Sequence, residues 1–304
     1  LAYPTGVYHT HIKTNPKCSQ PVGAVYTGKT LVVASGQDPA GLNIHKEIIQ
    51  KLGMSKVGEF EGYPVMKHND LLLAITALNS VEAEHLEKHF KVEKIIFISK
   101  HESKTGKPCL TVHTPGNIGL EAKHGGRPGE LAISHPLCIQ EALKTLGEEA
   151  ARIGLGEYQV SLEATHHGPT GLRVPTLFIE IGSSQKEWMD KKAASIVAQA
   201  AINTSYVDNR VFEAFVGVGG PHYAPNFTRV TLGGRLVGHI IPKHHLEDIT
   251  QEILLQAIKK TVGCVGVILD WKGTPKNVRD WVKSYVSGKL GLAVVRCTTR
   301  RKTL

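Results

Sequence analysis

From Lys29 onward, short apolar runs alternate with amphipathic ones. Residues 30–35, 71–76 and 94–99 are almost unbroken in apolar character, the pattern of strands covered on both faces. Asp38-Pro39 opens a predicted helix to about 52, a second helix is predicted over 80–90, and a third over 137–152 is stopped by Gly154 and Gly156. Further strands are predicted near 158–162, 174–181, 212–219, 236–240, 264–270 and 292–296, with helices near 184–202, 245–261 and 277–287. Ser184 and Glu187 have capping-box spacing ahead of the first of these later helices. Such alternation predicts an α/β fold, a layered mixed or mostly parallel sheet flanked by helices. Residues 101–136 are different, rich in Gly, Pro, His and Lys with little periodicity, and long irregular insertions in compact domains tend to be functional. No repeat or linker divides the chain, so one domain is expected over 29–304, with 1–28 a poorly ordered extension.

Composition narrows the class. The 304 residues can bury a full core, and 41% hydrophobic with 21% charged residues is ordinary for a soluble protein. No run approaches the roughly 18 apolar residues that span a bilayer. Residues 1–28 carry Pro4, Pro16 and Pro21 but no apolar signal core, so a cytoplasmic location is expected. Five scattered cysteines, never in Cys-x-x-Cys spacing, argue against a disulfide framework and a thiolate zinc site. The formal charge of +9 favours a polyanionic partner. Arg296, Arg300, Arg301 and Lys302 form a basic tail, either solvated or touching phosphates. No zinc finger, helix-turn-helix or aromatic RNA-recognition motif is present, so a nucleic acid would be held mainly by shape and charge.

The chemistry gathers at predicted strand ends. Glu163-Ala164-Thr165-His166-His167-Gly168-Pro169-Thr170 follows one strand, and Gly217-Val218-Gly219-Gly220-Pro221-His222-Tyr223-Ala224-Pro225 follows another. Ligands collect outside strand ends in open α/β sheets. Ser99-Lys100-His101-Glu102-Ser103, Thr111-Val112-His113 and His239 occupy similar positions. Two chemistries are open: a zinc ion held by neutral imidazoles and one carboxylate, or metal-free acid–base hydrolysis with His167 or His222 as the base. In the second, amides of Gly219 and Gly220 would hold the oxyanion. Strand alternation allows at most one of His166 and His167 to share a site with Glu163 or Thr165. Glu180, at the end of an apolar strand, could orient a neighbour. Asp270-Trp271-Lys272-Gly273 reads as a turn. No Gly-x-Ser-x-Gly elbow, phosphate-loop ending or dinucleotide glycine pattern is present.

Taken in order, Ser99-Lys100-His101, Thr111-Val112-His113, the 163–170 and 217–225 blocks, Glu180-Ile181-Gly182-Ser183-Ser184 with Glu187-Trp188, and Gly238-His239 resemble the archaeal and plant type of D-aminoacyl-tRNA deacylase. The resemblance runs from Lys29 to the C-terminus. Position 100 is Lys where Arg is usual, and position 221 is Pro where a small residue is usual. The resemblance implies hydrolysis of the ester between a D-amino acid and tRNA, with zinc as cofactor. It also implies a fold similar to peptidyl-tRNA hydrolases and nucleoside phosphorylases.

On that basis His101, His113, His166 and His222 are the expected metal ligands. His167, Glu163, Thr165, Gly219 and Gly220 are the expected catalytic groups. Lys100, Ser103, Glu180, Tyr223 and His239 are expected to meet the substrate. The partner is tRNA charged with a D-amino acid, with no membrane and a monomer or dimer expected. The alternatives are a zinc amidohydrolase or peptidase on small substrates, a phosphorylase-like nucleoside enzyme, and a non-catalytic tRNA-binding module.

Overall fold

A computed structural model describes residues 24–297 apart from 104, 105, 209 and 248. Strands β1 (Tyr26–Thr27), β2 (Thr30–Ser35), β3 (Ser55–Phe60), β4 (Tyr63–His68), β5 (Leu71–Thr76), β6 (Phe90–Lys91), β7 (Lys94–Glu102), β8 (Cys109–His113), β9 (Gln159–Leu162) and β10 (Thr176–Ser183) fill the first two thirds. They are interleaved with helices α1 (Pro39–Leu52) and α2 (Pro136–Ile153). After them come α3 (Gln185–Trp188), α4 (Lys191–Ser205), β11 (Ala214–Val218), α5 (Pro225–Leu232), β12 (Leu236–Ile241), α6 (Gln251–Lys260), β13 (Cys264–Leu269), α7 (Lys276–Lys283) and β14 (Ala293–Arg296).

The α/β reading holds, but the strands divide into more than one sheet. Eight strands run in the order β3-β4-β5-β2-β7-β10-β8-β9, and a parallel four-stranded sheet has the order β12-β11-β13-β14. The large sheet buries Ile96, Ile98, Leu110, Val112, Ile179 and Ile181 in one core with residues of α1, α2 and α4. Its opposite face begins apolar, with Phe97 stacked on Phe178 at 4.6 Å, and becomes polar two residues further along β7. Ser99 and His101 on β7, Glu180 on β10, Thr111 and His113 on β8 and Ser161 on β9 make a polar stripe there. Strand periodicity places all of them on one face, because partners across each pair point the same way.

Four predicted elements differ from the structure. The helix expected over 80–90 is two short 3₁₀ turns, and Glu84, which opens the second, turns its carboxylate to the amides of Thr170 and Gly171. The helix expected over 184–202 breaks because Asp190 caps a new helix, accepting from Lys192 N at 2.8 Å. The helix expected from 245 starts at Gln251, capped by Thr250. The irregular 101–136 interval contains β8, inserted antiparallel to β10. The β3–β4 hairpin is absent from the sequence reading. Its Glu61-Gly62 turn has positive φ at both residues, 49° and 82°, as a two-residue hairpin requires.

Most of the expected 1–28 extension lies outside the described residues. Its Tyr26–Thr27 strand pairs with β6, and Tyr26 is buried. Arg300, Arg301 and Lys302 of the basic tail are also outside the described residues. Among the described residues no helix is long and apolar enough to cross a membrane.

Candidate active site

Past Leu162 the chain leaves the large sheet and crosses to the small one. Glu163 N still donates to Val112 O, but Ala164 N donates to His222 O at 2.7 Å and Thr165 N to Ile240 O at 2.9 Å. The crossing brings the two histidine blocks together. His222 Nε2–H donates to Glu163 Oε2 at 2.7 Å, and the turn that carries His222 is itself tied down by Lys243 N donating to Gly220 O.

Glu163 is the hub. Its side chain is fully buried, with His222 and His166 on Oε2 (2.7 and 3.6 Å) and His101 Nδ1 3.2 Å from Oε1. Burial alone would raise its pKa, but the His222 hydrogen bond and the electrostatic pull of the surrounding imidazoles, the charged His101 among them, outweigh it and bring the group to about 2. Glu163 is therefore ionised. His101 responds in the opposite sense. Burial disfavours its charge, yet the Glu180 hydrogen bond and the Glu163 and Glu180 charges raise its pKa to about 9. Its Nε2 lies 2.8 Å from the Tyr223 hydroxyl, so both ring nitrogens are engaged.

His113, His166 and His167 form a neutral group that meets the hub at His166. Burial and the neighbouring rings hold His113 and His166 well below the ordinary histidine range, and burial brings His167 to about 4. His166 Nδ1–H donates to Ala164 O (2.8 Å) and His167 Nδ1–H to Gly168 O (2.7 Å), so both Nε2 atoms carry lone pairs. His113 Nε2 is 3.2 Å from His167 Nε2, and its Nδ1 has no partner among the described residues. His113, His166 and His167 each present a nitrogen within 4.8 Å of the others, as do Glu163, His166 and His222.

Only His166 joins the Glu163 group, within the limit placed on the pair, but the two rings do not point to opposite sides. Strand alternation does not apply beyond Leu162, and His167 adopts a left-handed φ of 46°, which turns both rings to one side. Gly219 and Gly220 are not free oxyanion donors, since their amides donate to Ile241 O (2.8 Å) and Gly273 O (3.4 Å). Thr165 and His239 are structural. His239 is 0% exposed, its Nε2–H donates to Ala132 O, and its Nδ1 accepts from the Thr165 hydroxyl, which in turn accepts from Ile240 N. Glu180 is buried, accepts from Ser99 Oγ at 2.7 Å and orients His101. Ser103 bonds the Tyr223 hydroxyl, while Lys100 is exposed with its ammonium 4.8 Å over the Trp188 ring.

Sequence reading named Ser99 in the 99–103 cluster without giving it a role, and missed the residues that hold the His166–His167 loop. Glu84 accepts from Thr170 N and Gly171 N, and Glu130 accepts from the Thr170 hydroxyl at 2.6 Å. Glu84 and Glu130 lie 86 and 40 positions from Thr170, beyond any local pattern.

Comparison with known proteins places the chain in a family. The sequence profile of the D-aminoacyl-tRNA deacylase family matches residues 88–295. A D-aminoacyl-tRNA deacylase of Thermococcus kodakarensis is 38% identical over 277 residues, covering 88% of this chain and 99% of the relative. One of Pyrococcus abyssi is 35% identical over 276 residues with the same coverage. A solved structure described as a conserved protein of unknown function superposes with a TM-score of 0.82 at 31% identity, covering 90% of this chain and 96% of the other. Partial matches to nucleosidases and a uridine phosphorylase have TM-scores of 0.38 or below and add no argument. With a family profile spanning most of its length and relatives matched almost end to end, the chain belongs to the D-aminoacyl-tRNA deacylase family.

Proposed function

We infer that this chain hydrolyses the ester of D-aminoacyl-tRNA at the Glu163 hub, with a zinc ion held by His113, His166 and His167. The arrangement of these three rings carries the reading. The donor set suits zinc: three neutral imidazoles, two with Nδ1–H committed to backbone carbonyls and Nε2 left as a lone pair. The 3.2 Å between His113 Nε2 and His167 Nε2 is close to the edge of a tetrahedron with Zn–N bonds of about 2.05 Å, roughly 3.3 Å. When bound, zinc supplies a water acidified toward neutral pH and a polarised ester carbonyl.

The chain's own groups do the rest. Glu163, ionised and steadied by His222, accepts the proton of the attacking water. His101 holds a positive charge beside it and, with the Tyr223 hydroxyl, stabilises the negative charge that develops on the ester oxygen. That role was expected of the Gly219 and Gly220 amides. His101 is thereby an electrostatic group and not a ligand, and His222 serves Glu163.

The test is hydrolysis of matched D- and L-tyrosyl-tRNA by the purified protein, with chelator and then with restored zinc. Loss of the D-ester that chelation abolishes and zinc restores, with the L-ester spared, is the expected outcome. Well-folded, zinc-loaded protein that cleaves neither ester would overturn the reading.

A further inference from the structure

The reaction described above leaves unused a cationic surface on the C-terminal side of the small sheet. Residues 264–297 contain six lysines and arginines against two aspartates. Asp270 is buried and accepts from Asn226 Nδ2, so it does little to offset the outward charge. Three of the cations surround one ring. The guanidinium of Arg296 lies 3.5 Å from the Trp271 ring centroid, that of Arg279 4.3 Å, and the Lys283 ammonium 4.9 Å. None of the three forms an ion pair with a carboxylate among the described residues.

Like charges this close repel, and bringing them together costs free energy unless a counter-charge is present for part of the time. The indole offsets some of that cost through the attraction between its π face and the cations. It also orders the cations. A guanidinium stacked on a ring keeps its N–H edge directed outward, the geometry that engages a phosphate in bidentate fashion. Arg279 is fixed further, donating through Nη1 to Trp271 O and Thr274 O. The cluster is preorganised for an anion that neither arginine finds within the described chain.

Its position ties it to the reaction. The 270–274 turn packs directly against the turn that carries His222: Gly220 N donates to Gly273 O, and Asp270 N to Val218 O. A polyanion lying on Trp271 is therefore adjacent to the loop that presents His222 to Glu163.

We propose that Arg279, Lys283 and Arg296, ordered around Trp271, bind the phosphodiester backbone of the tRNA acceptor end and guide its 3′ terminus to the Glu163 hub. This rests on the deacylase reading above. Because two guanidinium groups already lie against the ring, recognition is of phosphate and not of base, and it is indifferent to tRNA sequence.

The experiment measures binding of fluorescently labelled, uncharged tRNA to the full chain across a salt series, by anisotropy. The wild-type protein is compared with K283E/R296E, with K272E/K276E on the same surface, and with K144E on the exposed side of α2 as a control. The double reversal at 283 and 296 is expected to weaken binding at least tenfold. It should also flatten the slope of log affinity against log salt by about 1.4, or about 0.7 for each single-strand phosphate no longer neutralised. K144E should change neither. If K283E/R296E misfolds by circular dichroism, K272E/K276E gives the same reading with a smaller decrease. Equal affinity and slope for wild type and both reversals, with D-ester hydrolysis intact, would overturn the surface while leaving the deacylase reading in place. Weakened binding to anionic lipid vesicles with tRNA binding unchanged would overturn it in favour of a membrane partner. A wild-type protein that neither binds tRNA nor cleaves the D-ester would bring down the deacylase reading first.

Discussion

Replacing Glu163 with Gln keeps the shape of the hub and removes its charge. His101 owes its proton to Glu180 and Glu163, which hold it charged from an ordinary 6.5 up to about 9. A group stabilised in its protonated form contributes fully below its unfolded pKa, and that contribution is lost as pH rises through the folded value. The difference is worth at most about 3 kcal/mol, of which about 2 kcal/mol disappears between about pH 7 and about pH 9.5. Glu163 shows the same interaction from its own side: its pKa of about 2 places the corresponding loss in acid, as pH falls below the ordinary carboxylate range, so the two figures must not be added. In Glu163→Gln, Glu180 still bonds His101, so the alkaline loss should shrink to about 1 kcal/mol and not vanish. The assay is urea denaturation of wild type and variant in chelator at both pH values. The difference between the two proteins' pH differences removes the titration of all other groups. An equal loss in both would refute Glu163 as the charge that holds the His101 proton. The same variant should lower D-ester hydrolysis by about 10²–10⁴ if Glu163 is the proton acceptor.

Three other outcomes can be checked directly. His167→Ala should reduce zinc affinity by more than about 100-fold in chelator competition, because the proposed site loses one of its three ligands; unchanged affinity would shift the metal away from the three-imidazole group. Thr165→Val leaves Ile240 N and His239 Nδ1 without their partner and should cost about 1–3 kcal/mol of stability by urea denaturation. A variant as stable as wild type would mean that Thr165 does not hold the two sheets together. Gly220→Ala meets a left-handed φ of 81° and places its Cβ 2.8 Å from Asp270 Oδ2. It should lower stability by about 1–2 kcal/mol and displace His222, which a fall in both Tm and kcat would register.

Much of the scaffold could be read in advance because its signals are local. The β2, β5, β7 and β13 cores are short apolar runs, and α1 and α2 are opened by Asp38-Pro39 and His135-Pro136 and closed by Gly53 and Gly154. The errors arose where a distant group, or a capping residue inside a periodic run, overrode the local pattern. Glu84, turned to Thr170 and Gly171, replaces a predicted helix with 3₁₀ turns, and Asp190 restarts a helix that periodicity carries through. β8 was hidden because only five residues of a glycine-rich interval are extended, and their place in the sheet depends on β10.

By itself, the sequence determined which family this chain belongs to and named side chains that the fold gathers at one place: His101, His113, Glu163, His166, His167, Glu180 and His222. Roles depended on the tertiary structure. Whether an imidazole is charged, neutral or buried as a strut is set by what packs against it, and for His101, His167 and His239 those neighbours are Glu180, His113 and Ala132, each tens of residues away. Only the crossing of 163–167 from one sheet to the other brought Glu163 and His222 within 2.7 Å, and only the left-handed turn at His167 let two adjacent histidines face one point. Residue type and spacing carry the identity of donors and acceptors; their electrostatics follow from burial and proximity, which exist only in the folded chain.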